Sequence, residues 1–172
     1  MTQELMDLRT SILDGRYEDA LAIVDDLEGM SKQAILRNIQ SFLLRMLIHL
    51  IKNQVEQRLT NSWAASIRGS LRDIAKLNLK DNKTSYYVKS AEWSSMLAEE
   101  FDEAIATASL EVMDGAYSPF QLAELVDLEL VTNRAFALLN LTYNHSVKDL
   151  TTVINNELTQ LDGGEAWKSG KR

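Results

Sequence analysis

The sequence contains no cysteine, which excludes disulfide frameworks, thiolate nucleophiles and zinc–thiolate sites together. Proline occurs once and glycine seven times, too few turn formers for a domain built from many strands. Histidine occurs only as His49 and His145. A carboxylate-bridged di-iron bundle needs Glu-x-x-His on two helices, yet Met46 and Thr142 stand three residues before the two histidines. Glycine-rich phosphate loops, Gly-x-Ser-x-Gly elbows and His-Glu-x-x-His motifs are also missing. No catalytic, cofactor-binding or metal-ligating residue is assigned, and an enzyme would have to assemble its site from dispersed residues. Long hydrophobic runs are lacking too. The most apolar one, "FLLRMLIHLI" from Phe42 to Ile51, is interrupted by Arg45 and His49 and is short for a membrane span. The start "MTQELMDLRT" has neither the basic nor the apolar region of a secretory signal. A cytoplasmic chain with no membrane partner is expected.

What is present favours helix. The 172 residues are 45% apolar, enough for one sizeable core, and Leu, Ala, Glu and Asp are abundant. The expected fold is an all-α single-domain bundle of six or seven helices over residues 1–161, with a flexible tail at 162–172. Leu5, Leu8 and Ile12 lie at helical spacing in a first helix that ends near Asp14, where "DGRY" supplies a helix-stopping glycine. A second helix runs from Tyr17 to Glu28 and is stopped by Gly29, and a third starts after Ser31 and reaches about Leu59. In the third, Ile35, Ile39, Leu43, Met46 and Leu50 share one face while Leu44, Ile48 and Val55 lie opposite, so it is central or forms an interface. The helix 61–79 carries Trp63, Ile67, Leu71 and Ile74 on one stripe. A polar loop spans Leu79 to Ser85. A fifth helix, about Tyr86 to Met113, buries Trp93, Leu97, Phe101, Ala104, Ile105, Ala108 and Val112, and "DGAY" stops it. Ser118-Pro119 opens a sixth helix reaching about Asn140, and a weaker seventh covers Val147 to Leu161.

Charge is segregated. The net charge is −7, but Arg45 to Ala91 holds nine Lys/Arg against three Asp/Glu, and Glu92 to Glu165 holds two against fourteen. Such a distribution suits complementarity within the chain or with a partner. Arg68, Arg72 and Lys76 recur every four residues, and with Lys80 and Lys83 they make a candidate polyanion-binding face. The row suits phosphates more than bases, because a large apolar residue leads the helix where a recognition helix would read bases. The acidic residues Glu99, Glu100, Asp102 and Glu103 read as a solvated helix face rather than a cation site. Glu129 and Asn133 fall on the side of Leu122 and Val126, so His49, Glu129 and Asn133 form a candidate polar site between helices.

The segments "DGRYEDALAIVDDLEGMSKQAILRNI", "LLRMLIHLIKNQ" and "NSWAASIRGSLRDI" resemble a bacterial, largely cyanobacterial family called Domain of Unknown Function 29. The residues carrying the resemblance are His49, Lys52, Gln54, Ser62, Trp63, Ser66 and Ile67. It covers about Leu5 to Lys80, fades after the acidic helix and leaves 119–161 as an extension. The chain departs from the family pattern in Gly29-Met30, where Met-Gly is usual, and in Asn53, where an aromatic is common. The resemblance implies an all-helical fold and transfers no catalytic residue. The function expected is a non-enzymatic, cytoplasmic protein-interaction or regulatory module, a homodimer or bound to a protein partner. Nucleic-acid association through the basic face is the first alternative. A ligand or enzyme site near His49 and Glu129 is the second.

Overall fold

The structure is a computed structural model that describes residues 2–170. It is all-α, with no strand among the described residues; Leu79 and Tyr86 make one isolated antiparallel bridge. The helices are α1 (Gln3–Leu13), α2 (Tyr17–Glu56), α3 (Asn61–Asn78), α4 (Trp93–Ser109), α5 (Pro119–Leu125), α6 (Leu128–Asn144), α7 (Val147–Leu158) and α8 (Gly164–Lys168). Short 3₁₀ turns occupy Ser90–Glu92 and Val112–Gly115. The chain divides into two compact units, Met1–Arg37 and Asn38–Arg172.

The first unit is a helical hairpin. Gly15, at φ +75°, makes the left-handed turn that ends α1, and the Arg16 amide donates to the Ser11 carbonyl across it. The helical spacing of α1 holds but makes no buried stripe: Leu5 and Ile12 are exposed and Leu8 is half-buried, and Met6, Leu13, Tyr17 and Leu21 are exposed too. Among the described residues of this unit only Ser11 and Ala20 are buried. The expected helix stop at Gly29 is also absent, because α2 runs through it without a break. Glycine in a helix interior costs about 1 kcal/mol relative to alanine, which 40 residues of continuous hydrogen bonding outweigh.

The second unit holds the core. Ile39, Leu43, Met46, Leu47, Leu50 and Ile51 of α2 are wholly buried. The run at Phe42–Ile51 belongs to a helix that, unlike the run alone, is long and apolar enough to cross a membrane by length and composition. A third of that helix's most apolar window is buried. Thr60 caps α3 by accepting the Trp63 amide at 3.0 Å, and Trp63, Ile67, Leu71 and Ile74 are buried as their spacing predicts. Each is worth roughly 1.5–3 kcal/mol of burial. Helix α3 packs on α6 and α7, and α4 on α5 and α6. Asn78 fixes the loop after α3, donating to the Val88 carbonyl at 2.9 Å and accepting the Val88 amide at 2.7 Å. That pairing delays the fifth helix, which starts at Trp93 rather than near Tyr86.

The expected sixth helix is two. Ser118 caps α5 with Pro119 at its first position, as expected, but Val126 is extended and Asp127 accepts the Leu130 amide at 3.1 Å to start α6 anew. The segment expected as a tail carries α8, whose Trp167 Nε1 donates to Asn61 Oδ1 at 3.2 Å. Gly163 lies at φ +71° against Arg58, where a Cβ would meet its Cα at 2.7 Å. Residues 171 and 172 of that tail lie outside the described residues.

Candidate functional site

Lys52 is the most deeply buried cation of the second unit, its side chain 7% exposed. It reaches this position because α2 is buried on several sides near its C-terminal end, where Leu50, Ile51 and Asn53 are also buried. The Nζ donates to Glu111 Oε2 and stands 4.8 Å from the centroid of the Trp63 ring. Arg58 lies over the same ring, also at 4.8 Å. A buried ammonium is costly unless paired, and here a carboxylate and an aromatic face replace its water. The Lys52 hydrogen bond, then its charge, holds the Glu111 carboxyl below its ordinary 4.5. One turn earlier on α2, His49 Nδ1 sits 2.8 Å from the Arg45 carbonyl, which places a proton on that nitrogen. Burial holds its pKa below the ordinary 6.5, against the raising effect of that bond.

Glu111 in turn anchors a strained turn. After α4 ends, Met113 (φ 48°) and Asp114 (φ 57°) adopt left-handed conformations, followed by Gly115 at φ 77°. Two consecutive non-glycine residues in that region cost of order 1–3 kcal/mol each and persist only where surroundings fix them. The "DGAY" stop is therefore a left-handed excursion as well as a glycine stop. Around it Leu110, Met113, Phe120, Leu125 and Leu128 are all exposed. Gln54, the next signature position, accepts the Asp127 amide at 3.1 Å and so holds the break between α5 and α6.

Other site residues fare differently. Arg68 donates to Asn155 Oδ1 of α7 at 2.9 Å, Arg72 is half-buried, and Lys80 lies 5.3 Å over the Tyr87 ring. Only Lys76 and Lys83 of that set are classed as exposed, so the basic residues are not one open row. Of the candidate polar site, Asn133 and Glu129 are exposed and His49 is half-buried. Asn133 lines a cavity of about 190 Å³ with Arg134, Ala137, Leu138, Glu157, Gln160 and Leu161, without His49 or Glu129. Across the break at Val126–Asp127 the burial changes: Leu122 and Val126 are buried, whereas Glu129 and Asn133 of the new helix are exposed. Arg134 is instead paired with Asp162 at 3.0 Å. Of the signature residues, Ile67 is core, Ser66 is half-buried and Ser62 is exposed. Sequence reasoning missed Glu111 and Arg58. No local signal pairs Glu111 with Lys52, 59 positions away.

A family model described as "Domain of unknown function DUF29" matches residues 8–136. The chain belongs to that family. The DUF29 match extends well past the expected end at Lys80, through the Glu111 turn and α5 into α6, so residues 119–136 of the expected extension lie inside it and 137–161 outside. No curated protein and no solved structure matches the chain.

Proposed function

We propose that this DUF29 protein is a non-enzymatic helical interaction module whose N-terminal hairpin is completed by another protein chain, a second copy being the first choice. The observation that carries this reading is the inverted burial of Gln3–Arg37. Seven large apolar side chains there are exposed, Leu5, Met6, Ile12, Leu13, Tyr17, Leu21 and Met30, while only Ser11 and Ala20 are buried. A hairpin of this size cannot build its own core, and helices with uncovered apolar faces gain roughly 25 cal/mol per Å² when a partner covers them. A contact of an identical hairpin would form a four-helix arrangement by the packing rules of bundles.

The test is the mass of the full chain in solution across a concentration range. A dimer is expected, and the double substitution Leu13→Glu, Leu21→Glu is expected to shift it to monomer while the second unit stays folded by circular dichroism. A wild-type monomer at every concentration, co-purifying with no protein from its native cell, would remove the reading.

A further inference from the structure

We propose that the corner from Leu110 to Glu129 docks a basic amphipathic helix of a different protein. This deepens the reading of the chain as an interaction module by naming the partner chemistry of its second unit. The corner comprises the end of α4, the strained turn, α5 and the first turn of α6. Phe120 is 85% exposed and Leu110 76%, with Met113, Leu125 and Leu128 also exposed. Large apolar side chains concentrated on one stretch of a folded surface mark an interaction site.

Charge selects the occupant. Between Ser90 and Asn133 the chain has ten Asp/Glu and no Lys, Arg or His. Among the described residues only Glu111 of these ten is in an ion pair, its partner being the buried Lys52. Asp114, Glu124, Asp127 and Glu129 are exposed around the apolar side chains. On the neighbouring α4, burial and then the charges of Glu99 and Glu103 raise the Glu100 carboxyl above its ordinary value, as an uncompensated acidic surface requires. The complement is a segment with apolar residues on one helical face and Lys or Arg beside them.

Other occupants fit less well. An anionic bilayer is repelled by the same carboxylates. A second copy of this corner would set like charges face to face. The hairpin of a second copy offers apolar residues but carries eight Asp/Glu against four Lys/Arg in residues 1–37. The basic stretch 45–91 of a second copy has only Leu79 as an exposed large apolar side chain. The strained Met113–Asp114 backbone fits the same role: Lys52 and Glu111 hold a turn that presents Met113 and Asp114 outward.

The experiment titrates full-length protein into a fluorescein-labelled 18-residue peptide with leucine on one helical face and lysine on the other. Two comparison peptides are a scramble of identical composition and a version with glutamate for lysine. Vesicles of neutral and of anionic lipid form a separate arm. We expect saturable binding of the Lys/Leu peptide alone, weakened by salt. Phe120→Ala and Leu110→Ala should each weaken it about tenfold, and Asp114→Asn with Glu124→Gln should flatten the salt dependence. Phe120 and Leu110 are exposed, so loss of fold is not expected, and circular dichroism checks it. Equal binding of the scrambled or glutamate peptide, unchanged affinity in Phe120→Ala and Leu110→Ala, or binding to vesicles in preference to peptide would each overturn the proposal. The mass of Phe120→Ala should equal that of wild type, so failure here is separable from failure of the hairpin contact, which Leu13→Glu, Leu21→Glu reports.

Discussion

At the scale of single residues, the Lys52–Glu111 pair is asymmetric, and the asymmetry is testable. Lys52 is 7% exposed at the side chain and Glu111 60%. Removing the carboxylate strands a buried ammonium, whereas removing the ammonium leaves a carboxylate that water can solvate. Glu111→Gln should therefore destabilise by about 1–3 kcal/mol and Lys52→Met by less, as read from urea midpoints. The pH dependence follows from the same neighbourhood. His49 binds its proton less readily folded than unfolded, so the unfolded chain holds more protons below the ordinary pKa of 6.5. Stability is full above that pH and falls as pH drops through the window beneath it. Glu111, held below 4.5, adds a second loss in the same direction that begins only near its unfolded value. His49→Gln should flatten the first slope and leave the second, as measured by urea midpoints from pH 7 to 4. The pair was only half legible beforehand: Lys52 belongs to a family signature, but nothing in the sequence near Glu111 says that a lysine 59 positions away meets it.

At the scale of helices, two glycines of similar appearance behave in opposite ways. Gly29 has no atom within 4 Å of a would-be Cβ and sits inside α2 with no positive φ. Gly29→Ala should then stabilise α2 by up to about 1 kcal/mol. Gly163 is left-handed and pressed on Arg58, so Gly163→Ala should destabilise by at least ~1 kcal/mol. Thermal melts of the two variants should shift in opposite directions; a destabilised Gly29→Ala would restore the expected helix stop. From sequence, Gly29 after an acidic helix and before Ser31 has every local feature of a terminus. Helix continuity overrode it because each added residue of α2 contributes a backbone hydrogen bond. The break between α5 and α6 shows the converse. An Asp127 cap and the Gln54 side chain outweighed an apolar pattern that reads as continuous.

At the scale of the whole molecule, the two units should differ in local stability. Amides of Gln3–Arg37 are expected to exchange with deuterium much faster than those of Ile39–Ile51 in the isolated chain, because the latter lie beneath a packed core. Protection of both segments at high concentration but only of the second on dilution would accord with closure of the hairpin by another copy. Equal protection at all concentrations would contradict it. The all-α class, the buried stripe of α3, the α4 core residues and the Ser118 cap follow from composition, 3.6-residue periodicity and capping chemistry, which are local properties. Sequence by itself determined those. Tertiary structure alone decided that Lys52 meets Glu111 and Trp63, that Arg68 bonds Asn155, that Glu129 and Asn133 are exposed, and which apolar residues remain uncovered. Each of these depends on the phase at which one helix ends and the next begins, and that phase is fixed by contacts between residues distant in the chain.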